Sequence, residues 1–246
     1  MAELPEHSPL HQFVIQPIVP IHIGGVDLSF TNSSLLMVAT VALITLFLTL
    51  GMRARDLVPG RLQSMAEMSY EFVAGMVRDN VGSAGRKFFP FIFTLFMFVL
   101  FGNLLGLLPY SFTFTSHIAV TATLALIVIV GVTAIGVIKH GLHFFSFFVP
   151  KGVPSALLPL MIPIEVISYL SRPVSLSIRL FANMMAGHTM LKVFAGFVML
   201  LGFAGGWAPV LMNVLLTGFE LLVAFLQAYV FTVLTCIYLN DAIHLH

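Results

Sequence analysis

Long apolar runs separated by short charged segments make up most of the chain. A helix needs about 20 mostly apolar residues to cross a bilayer. Five runs meet that requirement: 33–51, 88–109, 117–139, 156–201 and 207–241. The segment GFAGGWAP at 202–209 separates the last two, and its glycines and proline are typical of a turn. The pattern therefore predicts five membrane-crossing helices, the last two forming a hairpin.

The two arms of this hairpin are longer than a bilayer is thick. At about 1.5 Å per residue each arm extends roughly 50 to 65 Å, against about 30 Å of hydrocarbon core. We therefore expect a steeply tilted or bent hairpin, with Pro163 and Pro173 as candidate bend sites.

Residues 61–80 have a different pattern. Six apolar residues recur at helical spacing: Leu62, Met65, Phe72, Val73, Met76 and Val77. Gln63, Glu67 and Glu71 lie opposite them. An amphipathic helix lying on the membrane surface is the structure that this pattern predicts.

Composition agrees with a membrane protein. Hydrophobic residues make up 59% of the 246 residues and charged residues only 9%, with a mean hydropathy of +1.04. Soluble domains carry about a quarter charged residues. We therefore predict an all-α polytopic membrane protein forming a single membrane domain, 1–246. The formal net charge of +1 gives no reason to expect nucleic acid as a partner, and no signal peptide is apparent.

The basic residues set the predicted orientation. Eight of the 11 lysines and arginines lie in two loops that five crossings place on one side: Arg53, Arg55, Arg61, Arg78, Arg86, Lys87, Lys139 and Lys151. The positive-inside rule makes that side cytoplasmic. The segment 1–32, which has no lysine or arginine, is then external and the C-terminus is cytoplasmic. A bacterial inner (plasma) membrane is favoured, with the mitochondrial inner membrane as the alternative.

A polar face runs along the first arm of the hairpin. On a helical wheel, five polar residues fall within about 40° of Arg179: Glu165, Ser168, Arg172, Ser175 and Asn183. A charge at the bilayer centre costs about 2.5 to 3.5 kcal/mol on insertion scales, so intramembrane arginines usually have a function. The sequence thus predicts a polar track through the membrane, centred on Arg179.

Counting from the turn predicts which residues of the two arms face each other. With the turn near Ala204, Arg179 and Gln227 lie at similar depth, and so do His188 and Glu220. Asn213, Glu220 and Gln227 are spaced by seven and share one face of the last helix. We therefore expect an Arg179–Gln227 pair and, nearer the external side, a His188–Glu220 pair.

The chemistry of these residues suggests two separate half-paths for protons. His188 and Glu220, with Asn213, Asn103 and His117, are candidates for the external side, because histidine titrates near neutrality and burial raises the pKa of a glutamate. Glu165, Ser168 and Ser175 lie toward the cytoplasm. Between them, Arg179 is expected to block direct passage and to attract a partner's carboxylate.

Structural roles remain open for several of these residues. Arg179 is a possible ion-pair partner of Glu165 or Glu220, and Arg172 and Lys192 are more simply explained as structural. Asn103 and Gln227 are residue types that also bond neighbouring membrane helices.

The stretch SLSIRLFANMMAGH, residues 175–188, resembles the signature of subunit a of the F-type ATP synthase. FGNLLGLLP and LQAYVFTVLTCIYL extend the resemblance to essentially the whole chain. It implies that Arg179 is the essential stator arginine, with Gln227 beside it and Asn183 lining the channel. It also places Glu165 and Ser175 on the cytoplasmic half-path. His188 and Glu220 match two positions that carry an acid and a histidine in either order. Gly106 departs from the pattern, since some members have an aspartate there.

The resemblance implies a proton-translocating stator subunit of a rotary ATP synthase. Its partners would be the c-subunit ring, b-type peripheral stalk subunits, the rest of the F1Fo complex and membrane lipid. The chain has no GxxxxGK[ST] phosphate loop, and no catalytic site of its own, cofactor or metal is expected. Alternatives from other classes are a standalone ion channel or ion-coupled secondary transporter, with Arg179 as a substrate counter-ion, and a structural scaffold. The choice between proton and sodium is left open.

Overall fold

The computed structural model of the chain describes residues 14–20, 22–23, 26–27, 29–53, 58–108, 112–149 and 157–244. Six α-helices lie within these residues: α1 (Asn32–Gly51), α2 (Arg61–Val81), α3 (Phe89–Gly106), α4 (Ile118–His140), α5 (Leu158–Gly205) and α6 (Trp207–Ile243). Three 3₁₀ helices accompany them: Gly82–Phe88, Phe114–Ser116 and Gly141–Phe148. Arg55 and Lys151, which contribute to the predicted orientation, lie outside the described residues.

Five helical stretches among the described residues are long and apolar enough to cross a membrane. They are Asn32–Gly51, Arg61–Gly106, Ile118–His140, Leu158–Phe203 and Trp207–Ile243. The prediction of an all-α polytopic membrane protein is confirmed. At about 1.5 Å per residue, the 48 residues of α5 extend roughly 72 Å and the 37 residues of α6 roughly 56 Å. Both helices exceed the thickness of a hydrocarbon core, which favours tilt.

The segment before α1 contains short strands that the sequence pattern did not predict. β1 (Pro17–Val19) pairs antiparallel with β4 (Phe30–Thr31), and β2 (His22–Ile23) pairs with β3 (Val26–Asp27). Thr31 then caps α1, because its Oγ1 accepts a hydrogen bond from the Ser34 backbone N–H at 3.3 Å. The segment thus leads directly into the first span.

The hairpin turn lies at the glycines of the predicted turn segment. Gly202 has φ +58° and ψ −158°, a conformation that favours glycine, and the Gly206 N–H donates to its carbonyl at 2.8 Å. The candidate bend sites behave differently, because Pro163 and Pro173 lie inside α5 and Gly202 is the residue with non-helical dihedrals. The helical dihedrals are therefore interrupted at Gly202, and bending at either proline stays a prediction.

The apolar face predicted for α2 is partly buried within the chain, at Val73, Met76 and Val77, and its position on the membrane surface stays a prediction. Ala66, Val73, Val77 and Val81 are buried, whereas apolar residues assigned to the same face, Leu62, Met65 and Phe72, are exposed. Gln63, assigned to the polar face, is buried. The apolar stripe of α2 is broader than one packing surface, so only one edge of it is covered. The other edge leaves apolar side chains exposed along the helix.

The described chain divides into two compact units. The first unit comprises 1–66, 97–117 and 180–228, and the second comprises 67–96, 118–179 and 229–246. Within the second unit, the C-terminal end of α6 is held by α4. Lys139 Nζ and His140 Nε2 each lie 3.1 Å from the carbonyl oxygen of Ile243. Basic groups at the end of a helix complement its dipole, so these contacts stabilise the terminus of α6.

Candidate functional site

A buried histidine–glutamate pair lies in the first unit. His188 Nδ1, on α5, is 2.7 Å from Glu220 Oε1, on α6. Both residues are almost fully buried, with exposed fractions of 8% for His188 and 3% for Glu220. The predicted pairing of these two residues is confirmed. It follows from the hairpin, because His188 and Glu220 lie 16 residues before and 16 residues after Ala204 in the turn segment, and so at the same level on the two arms.

Both ring nitrogens of His188 face oxygen atoms. Nδ1 lies 2.9 Å from the Met184 carbonyl oxygen, toward which its N–H is directed, and the Glu220 carboxylate lies beside that bond. Nε2 lies 2.9 Å from both the Gly106 carbonyl oxygen and Thr113 Oγ1. Carbonyl oxygens only accept hydrogen bonds. The surroundings of the ring therefore offer an acceptor to a proton on either nitrogen, next to a carboxylate.

Two glycines make room for this cluster. A Cβ on Gly187 would collide with Glu220 Oε1, and one on Gly106 would lie 2.7 Å from Thr113 Oγ1 and Cγ2. Real Cβ atoms essentially never approach other atoms that closely. At both positions a carboxylate or a hydroxyl group occupies the adjacent space, so a larger side chain would displace Glu220 or Thr113 from its present place.

Buried polar atoms near the pair lack partners within the chain. Asn103, fully buried on α3, donates from Nδ2 to the Ala224 carbonyl oxygen at 3.3 Å. Among the described residues, Asn103 Oδ1, Asn213 Oδ1 and Glu220 Oε2 have no hydrogen-bonding partner. Most buried polar atoms in proteins are paired, often with water. These three atoms are therefore suited to contact water or a transferable proton.

The residues predicted for the polar track of α5 differ in exposure. Ser175, Arg179 and Asn183 are exposed, and Glu165 is half-buried. None of the ion pairs among the described residues includes Arg179. On α6, Asn213 is half-buried and Gln227 is buried. Arg179 belongs to the second unit and Gln227 to the first, and the facing of these two residues stays a prediction.

The second basic residue of α5 has a structural partner that the sequence did not indicate. Arg172 Nη1 lies 3.1 Å from Asp241 Oδ2, near the end of α6. Its guanidinium group also lies over the rings of Tyr169 and Tyr238, 5.4 and 5.0 Å from their centroids. Arg172 therefore links α5 to α6 within the second unit, in agreement with its interpretation as a structural residue.

Other contacts of the cluster were missed by sequence reasoning. Thr113 lies between α3 and α4, in a segment without a periodic pattern, and the Gly106 carbonyl group belongs to the last residue of α3. A signal was present, since the sequence FTFTS at 112–116 carries three hydroxyl groups and no charge. Thr113, Thr115 and Ser116 are buried in the structure. Among the described residues, no group of three His, Cys, Asp or Glu residues is placed to hold a metal ion.

Comparison with known proteins identifies the family. The family model described as ATP synthase A chain matches residues 34–240. A protein of Rhodospirillum rubrum named ATP synthase subunit a is 62% identical over 240 residues, covering 98% of this chain and 100% of the relative. Proteins of the same name from Chelativorans sp. (strain BNC1) and Allorhizobium ampelinum are each 64% identical, over 96% and 97% of this chain and 98% of each relative. These matches confirm the resemblance of the 175–188 stretch, and the chain belongs to the ATP synthase A chain family.

Proposed function

We propose that the chain is the proton-translocating stator subunit of a rotary F-type ATP synthase. In this proposal it provides two offset half-channels, and protons cross between them only on carboxylates of the c-subunit ring. The observation that carries the proposal is Arg179, a permanent charge that is exposed on a helix of a membrane-spanning hairpin.

The surroundings of Arg179 support a partner surface. Ser175 and Asn183, four residues before and after Arg179 on the same face, are also exposed, so the guanidinium group lies on an exposed polar stripe of a largely apolar helix. Intramembrane charges normally face a bundle interior, a cavity or an opposite charge. A passing ring of carboxylates would supply that opposite charge. Between two such carboxylates, the fixed positive charge would repel a proton moving straight across.

The buried pair supports an external half-channel. His188 and Glu220 provide adjacent groups that can bind and release protons, and Glu220 Oε2 and Asn213 Oδ1 are buried atoms open to a further partner. Buried polar atoms of this kind typically bond water, which would connect the pair to the external side. In this half-channel His188 and Glu220 transfer protons and Asn213 helps to hold water.

The cytoplasmic half-channel is assigned to Glu165 and Ser175, with Asn183 and Gln227 completing the polar surface near Arg179. Ser175 lies four residues before Arg179 on α5, on the same side of the helix and also exposed. In the proposed orientation the N-terminus is external and the C-terminus cytoplasmic, in a bacterial inner membrane. The b-type peripheral stalk holds the subunit against the ring, and ATP synthesis itself belongs to other subunits of F1Fo.

The test is proton pumping in vesicles that contain the whole complex. We expect Arg179→Ala to abolish ATP-driven pumping while the complex remains assembled, and to open a passive proton leak through the membrane sector. Lys192→Gln is the matched control, because it removes an exposed charge from the same helix outside the proposed path. Normal coupled pumping by Arg179→Ala would refute the proposal.

The rival proposal of a standalone channel or ion-coupled transporter gives a different result. Such a protein should transport ions when the purified chain alone is placed in vesicles. The stator proposal expects directed transport only when the c-subunit ring is present.

A further inference from the structure

A cavity of about 410 Å³ lies in the second unit, where α2 ends and α3 begins. Tyr70, Ala74 and Val77 of α2 form one side, and Phe89, the first residue of α3, closes it. The rings of Tyr70 and Phe89 are in contact, with centroids 4.6 Å apart. This end of the cavity is apolar, and its volume is within the range of small-molecule sites.

The other end of the same cavity is cationic. Arg78, Ser83 and Arg86 line it, and all three are exposed. Arg78 lies 4.0 Å from Asp79, but both side chains are more than three-quarters exposed, so this ion pair is weak and is easily exchanged for another anion. Two guanidinium groups and a hydroxyl group are well suited to the oxygens of a phosphate.

With α2 on the membrane surface, as its sequence pattern predicts, the cavity would lie at the edge of the membrane. On one side is α2, with exposed apolar residues such as Met68 and Phe72 beside its charged ones. On the other side is α3, an apolar span that begins at Phe89. The junction of a surface helix with a span lies at the level of lipid headgroups. Basic pockets at this level bind anionic headgroups.

We propose that this cavity binds one anionic glycerophospholipid. Its phosphodiester contacts Arg78, Ser83 and Arg86, and the start of an acyl chain lies along Tyr70 and Phe89. The combination of cationic and apolar ends selects this ligand. A soluble phosphate would contact only the cationic end. A zwitterionic lipid would place its own positive charge near the two arginines, which repel it.

The experiment uses the whole complex in phosphatidylcholine vesicles that contain a small fraction of phosphatidylglycerol with a photoreactive acyl chain. After illumination, the labelled peptides are mapped. We expect labelling of residues 67–96 that is competed by unlabelled phosphatidylglycerol but not by phosphatidylcholine or inorganic phosphate. The double variant Arg78→Gln/Arg86→Gln should reduce this labelling by roughly tenfold or more, as expected for two interfacial cations.

Arg61→Gln/Lys87→Gln is the matched control. It removes the same charge from the same stretch of chain, and neither residue lines the cavity. We expect this control to retain the labelling. Equal loss in both double variants would show a general surface attraction and overturn the site. Competition by inorganic phosphate would assign the cavity to a soluble anion instead. If the cavity variant left labelling unchanged but released a peripheral stalk subunit, the occupant would be that protein and not a lipid.

Discussion

Gly187 is the position where the smallest change should disturb the proposed proton path most. A methyl group there would collide with Glu220 Oε1, the atom that lies 2.7 Å from His188 Nδ1. Glu220 is 97% buried, so a displaced carboxylate would have to leave its present position beside the histidine. Gly187→Ala should therefore separate the pair while leaving both side chains in place.

The size of the effect follows from the contact that is lost. A close pair of a carboxylate and an imidazolium group is worth about 1.5 kcal/mol or more, and about 1.5 to 3 kcal/mol is the lower part of that range. If proton passage depends on the pair, that loss corresponds to a roughly 10- to 150-fold slower ATP-driven proton uptake, at about 1.4 kcal/mol per tenfold. The crowding itself adds about 1 to 3 kcal/mol of strain, partly offset by about 1 kcal/mol because alanine favours helix over glycine.

Gly196 provides the control on the same helix. A Cβ there meets no atom within 4 Å, so Gly196→Ala gains the same helix preference without the collision. The assay compares proton uptake by vesicles that contain equal amounts of assembled complex. Adding Glu220→Asp, which is shorter by one methylene group, should reduce the penalty of Gly187→Ala relative to Glu220→Asp alone. If Gly187→Ala pumps as fast as Gly196→Ala, the reasoning from this contact is wrong.

Four further substitutions, in three experiments, test other parts of the structure. Thr113→Val removes one of the two oxygen atoms that contact His188 Nε2. It should slow proton uptake only about 2- to 10-fold, since the Gly106 carbonyl group still accepts a hydrogen bond. A loss as large as that of His188→Ala would contradict this. Arg172→Gln and Asp241→Asn should each lower the thermal stability of the subunit in the complex, because both break the same part-buried ion pair. The double variant should therefore lose less stability than the sum of the two single losses. Additive losses would rule out the pairing. Asn103→Leu removes an amide that bonds α3 to the Ala224 carbonyl oxygen of α6, and should cost about 1 kcal/mol of stability. Proton uptake should stay within about twofold of that of the unchanged complex. A large loss of uptake would place Asn103 in the proton path.

Much of this architecture could be predicted because membrane helices follow simple arithmetic. A fixed rise per residue and a glycine-rich turn were enough to pair His188 with Glu220, residues that are 32 positions apart. The apolar runs likewise indicated five crossings, because little except a continuous helix satisfies its backbone in lipid.

Other parts of the site depend on features that residue spacing does not record. The Gly106 carbonyl group contacts His188 through the backbone, which no side-chain pattern reveals. Gln63 is buried although its neighbours suggested a polar face, since burial depends on the elements that pack against a helix and not on its own pattern. Asp241 pairs with Arg172 across 69 residues of sequence, a separation that no local pattern connects.

The ring of His188 has a consequence for how the buried pair tolerates substitution. The two positions are not equivalent, because the histidine ring and not the carboxylate faces the Met184 and Gly106 carbonyl groups. A glutamate at 188 would bring its carboxylate toward the same carbonyl groups, acceptor against acceptor. Exchanging the two side chains would therefore leave these carbonyl groups facing a carboxylate, so the backbone around residue 188 ties the histidine to its own arm of the hairpin.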